Sequence, residues 1–456
     1  MNTFRTEIAS QARLAAPIVL AQLGQMLMGL VDTLMVGRIG GEERAAELAL
    51  SAVTMGHVLF YAGGSFAFGT LSALDPLVSQ AIGASDREGV SLAVQRSVLL
   101  ALLLSALVAV PLFFVEPILR ALGQPPESIG LAVGYVHATL PSVPFFFLFA
   151  VQRLVLQSMH SMRPVLIVVF LANLGNVFFN WVLIFGHLGL PAYGVVGSGW
   201  ATTLSRVVLF AGLLALAWPT LRPALRPWNP RTLRVAPILR MLRLGVPVGF
   251  QSSLEFCAFG LVAIVMGTLG SLEQAAHAIA INVASLSFMV PLGISAAAAV
   301  RVGRNVGRGD SDAVRRSAAV SMVLGVGAMA CSALLFVTIP MSITSLYTGD
   351  AAVFGLAAVL LPLAGAFQLF DGAQVVALGC LRGVGDTFVP MLINLFGYWG
   401  VGLPVGYWLT YRMEIGATGP WWGLVAGLAA VAIVLALRTR AALSGDVRRI
   451  DLEQAS

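Results

Sequence analysis

The chain has 456 residues, of which 58% are hydrophobic and only 11% charged, with a mean hydropathy of +0.89. A soluble domain carries about 25% charged residues, so this composition excludes an ordinary water-soluble fold. The net charge of +6 comes from arginine alone, with no lysine. The arginines cluster in short gaps between apolar runs, which is the pattern of membrane topology rather than of nucleic-acid binding.

A bilayer core about 30 Å thick needs roughly 20 apolar residues of helix. The first six spans are expected near 13–37, 48–73, 92–115, 130–157, 164–185 and 193–217. Six more follow near 243–267, 275–298, 316–339, 353–380, 387–410 and 417–437. The runs are too long and continuous for barrel strands, so helices are the expected spanning structure. The apolar run after Arg13 is long enough to remain in the membrane, so it reads as a span rather than a cleaved leader. The expected fold is an all-α polytopic membrane protein with twelve transmembrane helices.

One set of gaps carries most arginines, from Arg5 and Arg87 through Arg222–Arg240 and Arg301–Arg316 to Arg438–Arg449. The alternate gaps carry only Arg38, Arg44, Arg120 and Arg412. This bias places both termini in the cytoplasm of a bacterial inner membrane. The proline-rich gap near 218–242 reads as a cytoplasmic linker. The expected organisation is an N-terminal six-helix lobe at 1–218, a linker at 219–242, a C-terminal six-helix lobe at 243–440 and a cytoplasmic tail at 441–456.

An internal repeat supports two lobes. Arg13-Leu14-Ala15-Ala16-Pro17 is echoed by Arg243-Leu244-Gly245-Val246-Pro247, and Gly37, Gly40, Ala45 and Ala46 by Gly267, Gly270, Ala275 and Ala276. Ile82-Gly83-Ala84-Ser85-Asp86 pairs with Val306-Gly307-Arg308-Gly309-Asp310, Pro164 with Pro390, and Gly194 and Gly197 with Gly416 and Gly419. The order is kept while the offset drifts by only a few residues. Halves of six spans keep the same orientation, so a pseudo-twofold along the membrane normal is expected, with a cavity between the lobes.

Carboxylates inside the hydrocarbon cost roughly 2.5–3.5 kcal/mol on insertion scales and mark function by default. Three qualify: Asp32, Glu255 and Asp371. Gln251 and Ser252 precede Glu255 by about one turn, and Gln368 and Gln374 flank Asp371. Gln25 holds the repeat position of Glu255, and Val262 that of Asp32, so the acidic chemistry differs between lobes. A buried carboxyl can carry a proton or offer hard oxygen ligands to a desolvated cation. If a cationic substrate competes for the same carboxylate, release of one is favoured by arrival of the other, which suffices for antiport. Glu255, Asp371 and Asp32 are therefore the expected coupling sites, with Na⁺ at Glu255 and Asp371 as one candidate ion and H⁺ as the other.

Asn173, Asn176 and Asn180 share one helical face. Asn176 and Asn180, with Gln25, Gln251 and Gln368, are expected to line the substrate cavity. Arg206 lies within a span and needs a partner that the sequence does not name. Arg153 is expected to snorkel to the cytoplasmic surface, Asp75-Pro76 to stop a helix, and His277 to be structural. Cys257, Cys331 and Cys380 lie in apolar segments without disulfide or zinc spacing.

The ordered set of motifs resembles the multidrug and toxic compound extrusion (MATE) family, in its NorM-like branch, over nearly the whole chain. The resemblance rests on Ala16-Pro17, Val31-Asp32-Thr33 with Gly37, Ser79-Gln80-Ala81-Ile82-Gly83-Ala84, and Asn176 and Asn180 before Ile184-Phe185-Gly186. It continues with Gly194-Val195-Val196-Gly197 and Leu381-Arg382-Gly383-Val384-Gly385-Asp386-Thr387. It implies a monomeric multidrug efflux antiporter among membrane lipids, exporting amphipathic, mostly cationic drugs against inward Na⁺ or H⁺, with no other cofactor and no nucleic-acid partner. Glu255 and Asp371 match the coupling carboxylates of the NorM-like branch. Asp32 matches a protonated acidic position of the DinF-like branch, whose second acidic position is Asn180 here. Phe367, one turn before Asp371, has no hydroxyl for a cation site, which leans toward H⁺. A lipid-linked precursor flippase of the same superfamily would be expected to show more spans and a cationic cavity. An intramembrane enzyme would need a nucleophile–base pair or a metal cluster, and none is evident.

Overall fold

In a computed structural model, residues 2–39 and 43–451 are described. The expected repeat residue Gly40 and the last five tail residues lie outside that set. Among the described residues twelve helices are long and apolar enough to cross a membrane. In chain order they are α1 (Phe4–Val36), α2 (Arg44–Gly83), α3 (Arg87–Phe113), α4 (Pro126–Ser158), α5 (Arg163–Phe185) and α6 (Gly194–Leu216). The second half supplies α7 (Val235–Leu269), α8 (Ser271–Gly307), α9 (Ser311–Thr338), α10 (Ala351–Val384), α11 (Phe388–Tyr411) and α12 (Thr418–Ser444). Each expected span is one of these helices, and none of the described residues forms a strand.

Proline accounts for the irregular stretches. Helix α2 breaks at Ser72-Ala73 and resumes at Leu74–Gly83. Pro76 cannot donate to the Ser72 carbonyl and its ring crowds it, so Asp75-Pro76 opens the second stretch of α2 instead of stopping it. Helix α4 passes through a 3₁₀ turn, Leu140–Ser142, around Pro141. Helix α11 widens into a π-helical stretch, Phe396–Gly402, just ahead of Pro404.

The chain divides into two compact units. The N-terminal unit is Leu20–Leu74 with Arg87–Leu239, and the C-terminal unit is Met1–Val19, Asp75–Asp86 and Arg240–Ser456. The C-terminal unit thus takes in the start of α1 and the end of α2 as well as the second half of the chain. The packing within the C-terminal unit explains why. Glu7 accepts from Arg301 Nε (3.1 Å) and from Ser317 Oγ (2.6 Å), and the Gln11 amide reaches the Ile294 carbonyl.

At the end of α2 the repeat-paired glycines Gly83 and Gly307 bring two backbones together. A Cβ at Gly83 would lie 2.1 Å from the Arg304 carbonyl oxygen, and one at Gly307 would lie 2.0 Å from that of Gln80. Gln80 also donates to the Gly383 carbonyl (2.9 Å) and accepts from the Ile450 N–H (2.8 Å), which docks the tail beside the Arg449–Asp86 ion pair.

In the N-terminal unit the linker is clasped by α3. Gln95 Oε1 accepts from the Asn229 N–H (3.0 Å) and the Thr232 hydroxyl (2.8 Å), while its amide donates to the Pro227 carbonyl (3.0 Å). The linker itself forms a short helix, Trp218–Leu225, and a 3₁₀ turn, Pro230–Leu233.

Backbone atoms cannot move aside as a flexible side chain can, so Gly307→Leu should destabilise the C-terminal unit by about 1–3 kcal/mol or more. Gly260→Ala, where a Cβ meets nothing within 4 Å, should be neutral. Thermal unfolding of the two purified variants, followed by fluorescence-detected gel filtration, checks this. Equal melting of both would contradict the crossing as drawn.

Candidate coupling sites in the two units

The N-terminal unit buries one carboxylate inside a shell of donors. Asp32 on α1 is 1% exposed. Its Oδ1 accepts from the amides of Asn176 (2.9 Å) and Asn180 (2.6 Å) on α5, and its Oδ2 from the Thr202 hydroxyl (2.8 Å) on α6. Asn173, on the same face, donates to the Gly24 carbonyl (2.9 Å). The asparagine stripe therefore clasps α1. Asn176 and Asn180, expected in a substrate cavity, are fully buried and directed at Asp32. Hydrogen bonds to a charged group contribute about 1.5–3 kcal/mol each, which offsets part of the cost of burying Asp32.

Two arginines belong to the same unit. Arg153 is 5% exposed, donates to Gln25 Oε1 (3.2 Å) and lies over the Phe68 ring. It does not snorkel as expected: an amide acceptor and an aromatic face inside the bundle hold its guanidinium. Gln25 is correspondingly engaged with Arg153. Among the described residues Arg206 has no carboxylate ion pair. It donates to Ser142 Oγ (2.8 Å), and its guanidinium carbon sits 4.2 Å from the Phe60 ring centroid and 4.9 Å from that of Phe146. A π face is a sound partner for a weakly hydrated guanidinium.

The C-terminal unit joins two carboxylates through one donor chain. The Gln374 amide donates to Asp371 Oδ1 (3.1 Å) and to Tyr398 Oη (2.7 Å), and the Tyr398 hydroxyl donates to Glu255 Oε1 (3.2 Å). Hydrogen counting fixes the direction. An amide has two N–H hydrogens, and both are used, so the single phenolic proton is left for Glu255. Helices α7, α10 and α11 are thereby tied together at one level. Phe259, Phe367 and Trp421 pack around this chain with ring centroids 5.8–6.4 Å apart. Phe367 is a buried wall of the site.

Gln368 departs from expectation. Although it is one turn from Asp371, its amide donates to the Ala284 carbonyl (3.2 Å) and to Ser287 Oγ on α8. Gln251 is buried on α7, one turn before Glu255. His277 packs edge-on against Trp421 (5.4 Å), as a structural histidine does. The three cysteines are free, and no group of three or more His, Cys, Asp or Glu side chains among the described residues could hold a metal ion.

Sequence reasoning missed Tyr398 and Thr202. Both are hydroxyls in apolar helices far along the chain from the carboxylates they serve. The only advance signal was that a phenol buried in a span needs a partner.

Among the described residues, twelve membrane-length helices with a hydrogen-bonded carboxylate network in each of two units define a polytopic transporter. The MatE family model matches residues 17–182 and again 247–408. The two matches begin at Pro17 and Pro247, which the internal repeat pairs. A relative from Mesorhizobium japonicum, described as "Probable multidrug resistance protein NorM", is 37% identical over 451 residues, covering 96% of this chain and 94% of that protein. One of the same description from Burkholderia mallei is 38% identical over 447 residues, covering 96% and 93%. An outward-facing multidrug resistance MATE transporter of the MOP superfamily has the same fold, with a TM-score of 0.87 at 20% identity, covering 98% of this chain and 97% of that one. The chain belongs to the MatE family.

Tyr398→Phe keeps the ring and removes one proton donor. Losing a hydrogen bond to a charged group costs about 1.5–3 kcal/mol, so export should fall at least about tenfold at an unchanged protein level. Ethidium efflux from proteoliposomes measures it, and wild-type efflux would remove Tyr398 from the site.

Proposed function

We propose that the chain is a multidrug efflux antiporter of the bacterial inner membrane. It acts as a monomer with both termini in the cytoplasm and exports amphipathic, mostly cationic compounds in exchange for inward H⁺. The observation that carries the reading is that each unit holds a hydrogen-bonded carboxylate network inside membrane-length helices, with Asp32 and Asp371 buried and Glu255 half-buried. Buried carboxylates of this kind are costly and are kept for ion or proton handling. The names of the relatives in M. japonicum and B. mallei support the drug-export half of the proposal. The arginine asymmetry between alternate gaps supports the orientation.

Glu255, Asp371 and Asp32 are the coupling groups in this proposal. A proton on any of them removes one negative charge from its unit, and a cationic substrate competes for the charge that remains. The differential affinity of the two states then drives exchange. The donor pattern favours H⁺ over Na⁺. Each hydrogen bond described above to Asp32, Asp371 or Glu255 brings an N–H or O–H to the carboxylate, and hydrogens directed at those oxygens leave less room for a metal cation. Phe367 adds no oxygen ligand beside Asp371.

Proteoliposomes loaded with ethidium separate the ions when a pH gradient and a Na⁺ gradient are imposed in turn. Export driven by the pH gradient alone is expected. Export driven only by Na⁺ would make Glu255 and Asp371 a metal-ion site, and export under neither gradient would overturn the drug assignment. Glu255→Gln and Asp371→Asn should each abolish drug resistance in cells while still reaching the membrane, and Asp32→Asn should reduce it unevenly across compounds. Normal resistance in the first two would refute their coupling role.

A further inference from the structure

Arg206 places a positive charge inside a span, and a charge there is costly enough to mark function by default. It stands on α6, and its guanidinium carbon lies 4.2 Å from the Phe60 ring centroid on α2 and 4.9 Å from that of Phe146 on α4. The two rings meet edge-to-face, 5.6 Å apart at 75°, so they form an aromatic corner around one cation. All three residues belong to the N-terminal unit. A guanidinium has five N–H donors. Among the described residues Arg206 uses one of them, from Nη1 to Ser142 Oγ (2.8 Å). Most of the attraction therefore comes from the rings, whose quadrupoles favour positive charge of any kind over guanidinium geometry.

The corner is open on one side. Arg206 and Phe146 are half-buried, and Tyr61, edge-on to Phe60 at 5.6 Å, is 50% exposed. Beneath it Ser142 is fully buried, and its hydroxyl hydrogen is committed to the Thr139 carbonyl. An apolar side chain at 206 would fill the same space without bringing a charge into the span. One turn earlier on the same face of α6, Thr202 donates to Asp32 Oδ2. The corner thus stands about one helical turn from the carboxylate of its unit, and the coupling scheme above uses neither ring.

We propose that the Phe60–Phe146 corner binds the cationic centre of the substrate, and that Arg206 is a tethered competitor which the substrate displaces. This inference rests on the reading of the chain as an exporter of amphipathic cations. The site fits a quaternary ammonium or phosphonium centre carrying apolar groups. The rings attract its charge, and such a centre has no N–H that would need a partner. No covalent bond is made or broken. The arginine and the substrate exchange places on the same aromatic faces, so net affinity is the difference between two cations for one site. A neutral compound of similar size gains nothing from the quadrupoles and leaves Arg206 in place, so the corner selects for charge.

The test is calorimetric titration of the purified full-length protein with tetraphenylphosphonium, and with triphenylphosphine oxide as a neutral counterpart. Phe60→Leu and Phe146→Leu should each weaken phosphonium binding about tenfold, and Phe60→Trp should preserve it. Arg206→Gln should tighten it about tenfold. The Arg206→Gln gain should vanish in the Phe146→Leu background, because the competitor matters only while the corner exists. Relief of general charge repulsion would instead give the same gain in both backgrounds, and that result would overturn the proposal. Binding of the neutral oxide should be the same in all variants; parallel changes for both probes would reduce the rings to packing and overturn it too. Phe146→Leu, at a half-buried position, decides the matter should Phe60→Leu fail to fold. Wild-type phosphonium binding in Phe146→Leu and Arg206→Gln would sink the corner alone. No phosphonium binding by the unaltered protein would sink the reading of cationic substrates and the corner with it.

Discussion

A carboxylate placed in a helix that crosses hydrocarbon has no water to solvate it, so its hydrogen-bond partners must come from side chains of its own or neighbouring helices. That constraint sets much of the packing in both units. Asp32 draws in two asparagines of α5 and a threonine of α6. Glu255 and Asp371 draw α7, α10 and α11 together through Tyr398 and Gln374. Hydrogen bonds to a charged group contribute about 1.5–3 kcal/mol each, which here offsets the cost of burying the carboxylates rather than adding net stability to the bundle. Their larger effect is to fix which side chains stand beside each carboxyl.

The two units meet the constraint differently. The shell around Asp32 has a separate donor for each hydrogen bond and serves one carboxylate. The C-terminal chain passes through a single amide and a single phenol, and it ends on a carboxylate at each side. Both hydrogens of the Gln374 amide are used, and its Oε1 is buried without a partner among the described residues. A change at either end must therefore alter the other through Gln374 and Tyr398. The π-helical stretch Phe396–Gly402 that carries Tyr398 is held close to α12: a Cβ at Gly423 would come within 2.5 Å of the Gly402 carbonyl oxygen. A widened helical turn that presents a functional side chain is a recurring use of this geometry.

Much of this was legible in the chain itself. Long apolar runs identify the twelve spans because bilayer thickness imposes a minimum length. The acidic residues stand out because their burial is costly. The partners were less legible because they depend on which helix faces which. Asn176 and Asn180 share a face in any helix, but only the approach of α1 decides that the face meets Asp32. Gln368 and Gln374 flank Asp371 equally in sequence, yet Gln368 turns to α8 and Gln374 to the carboxylate. Arg153 reads as a snorkelling residue until Gln25 and Phe68 appear beside it. Tyr398 lies 143 residues from Glu255, and no local pattern joins them.

The repeat carries information of a different kind. Gly83 and Gly307 are equivalent by sequence, and in the folded chain each stands against the backbone at the other's helix end. If each glycine only ended a helix, nothing would bring the pair together. Their mutual approach requires small residues at both positions at once, since a side chain on either one would meet a carbonyl oxygen. The same crossing carries Asp75–Asp86 into the C-terminal unit, so the sequence boundary between halves does not coincide with the packing boundary. A repeat-paired glycine can therefore mark where the two halves of the sequence pack together, as well as where a helix ends.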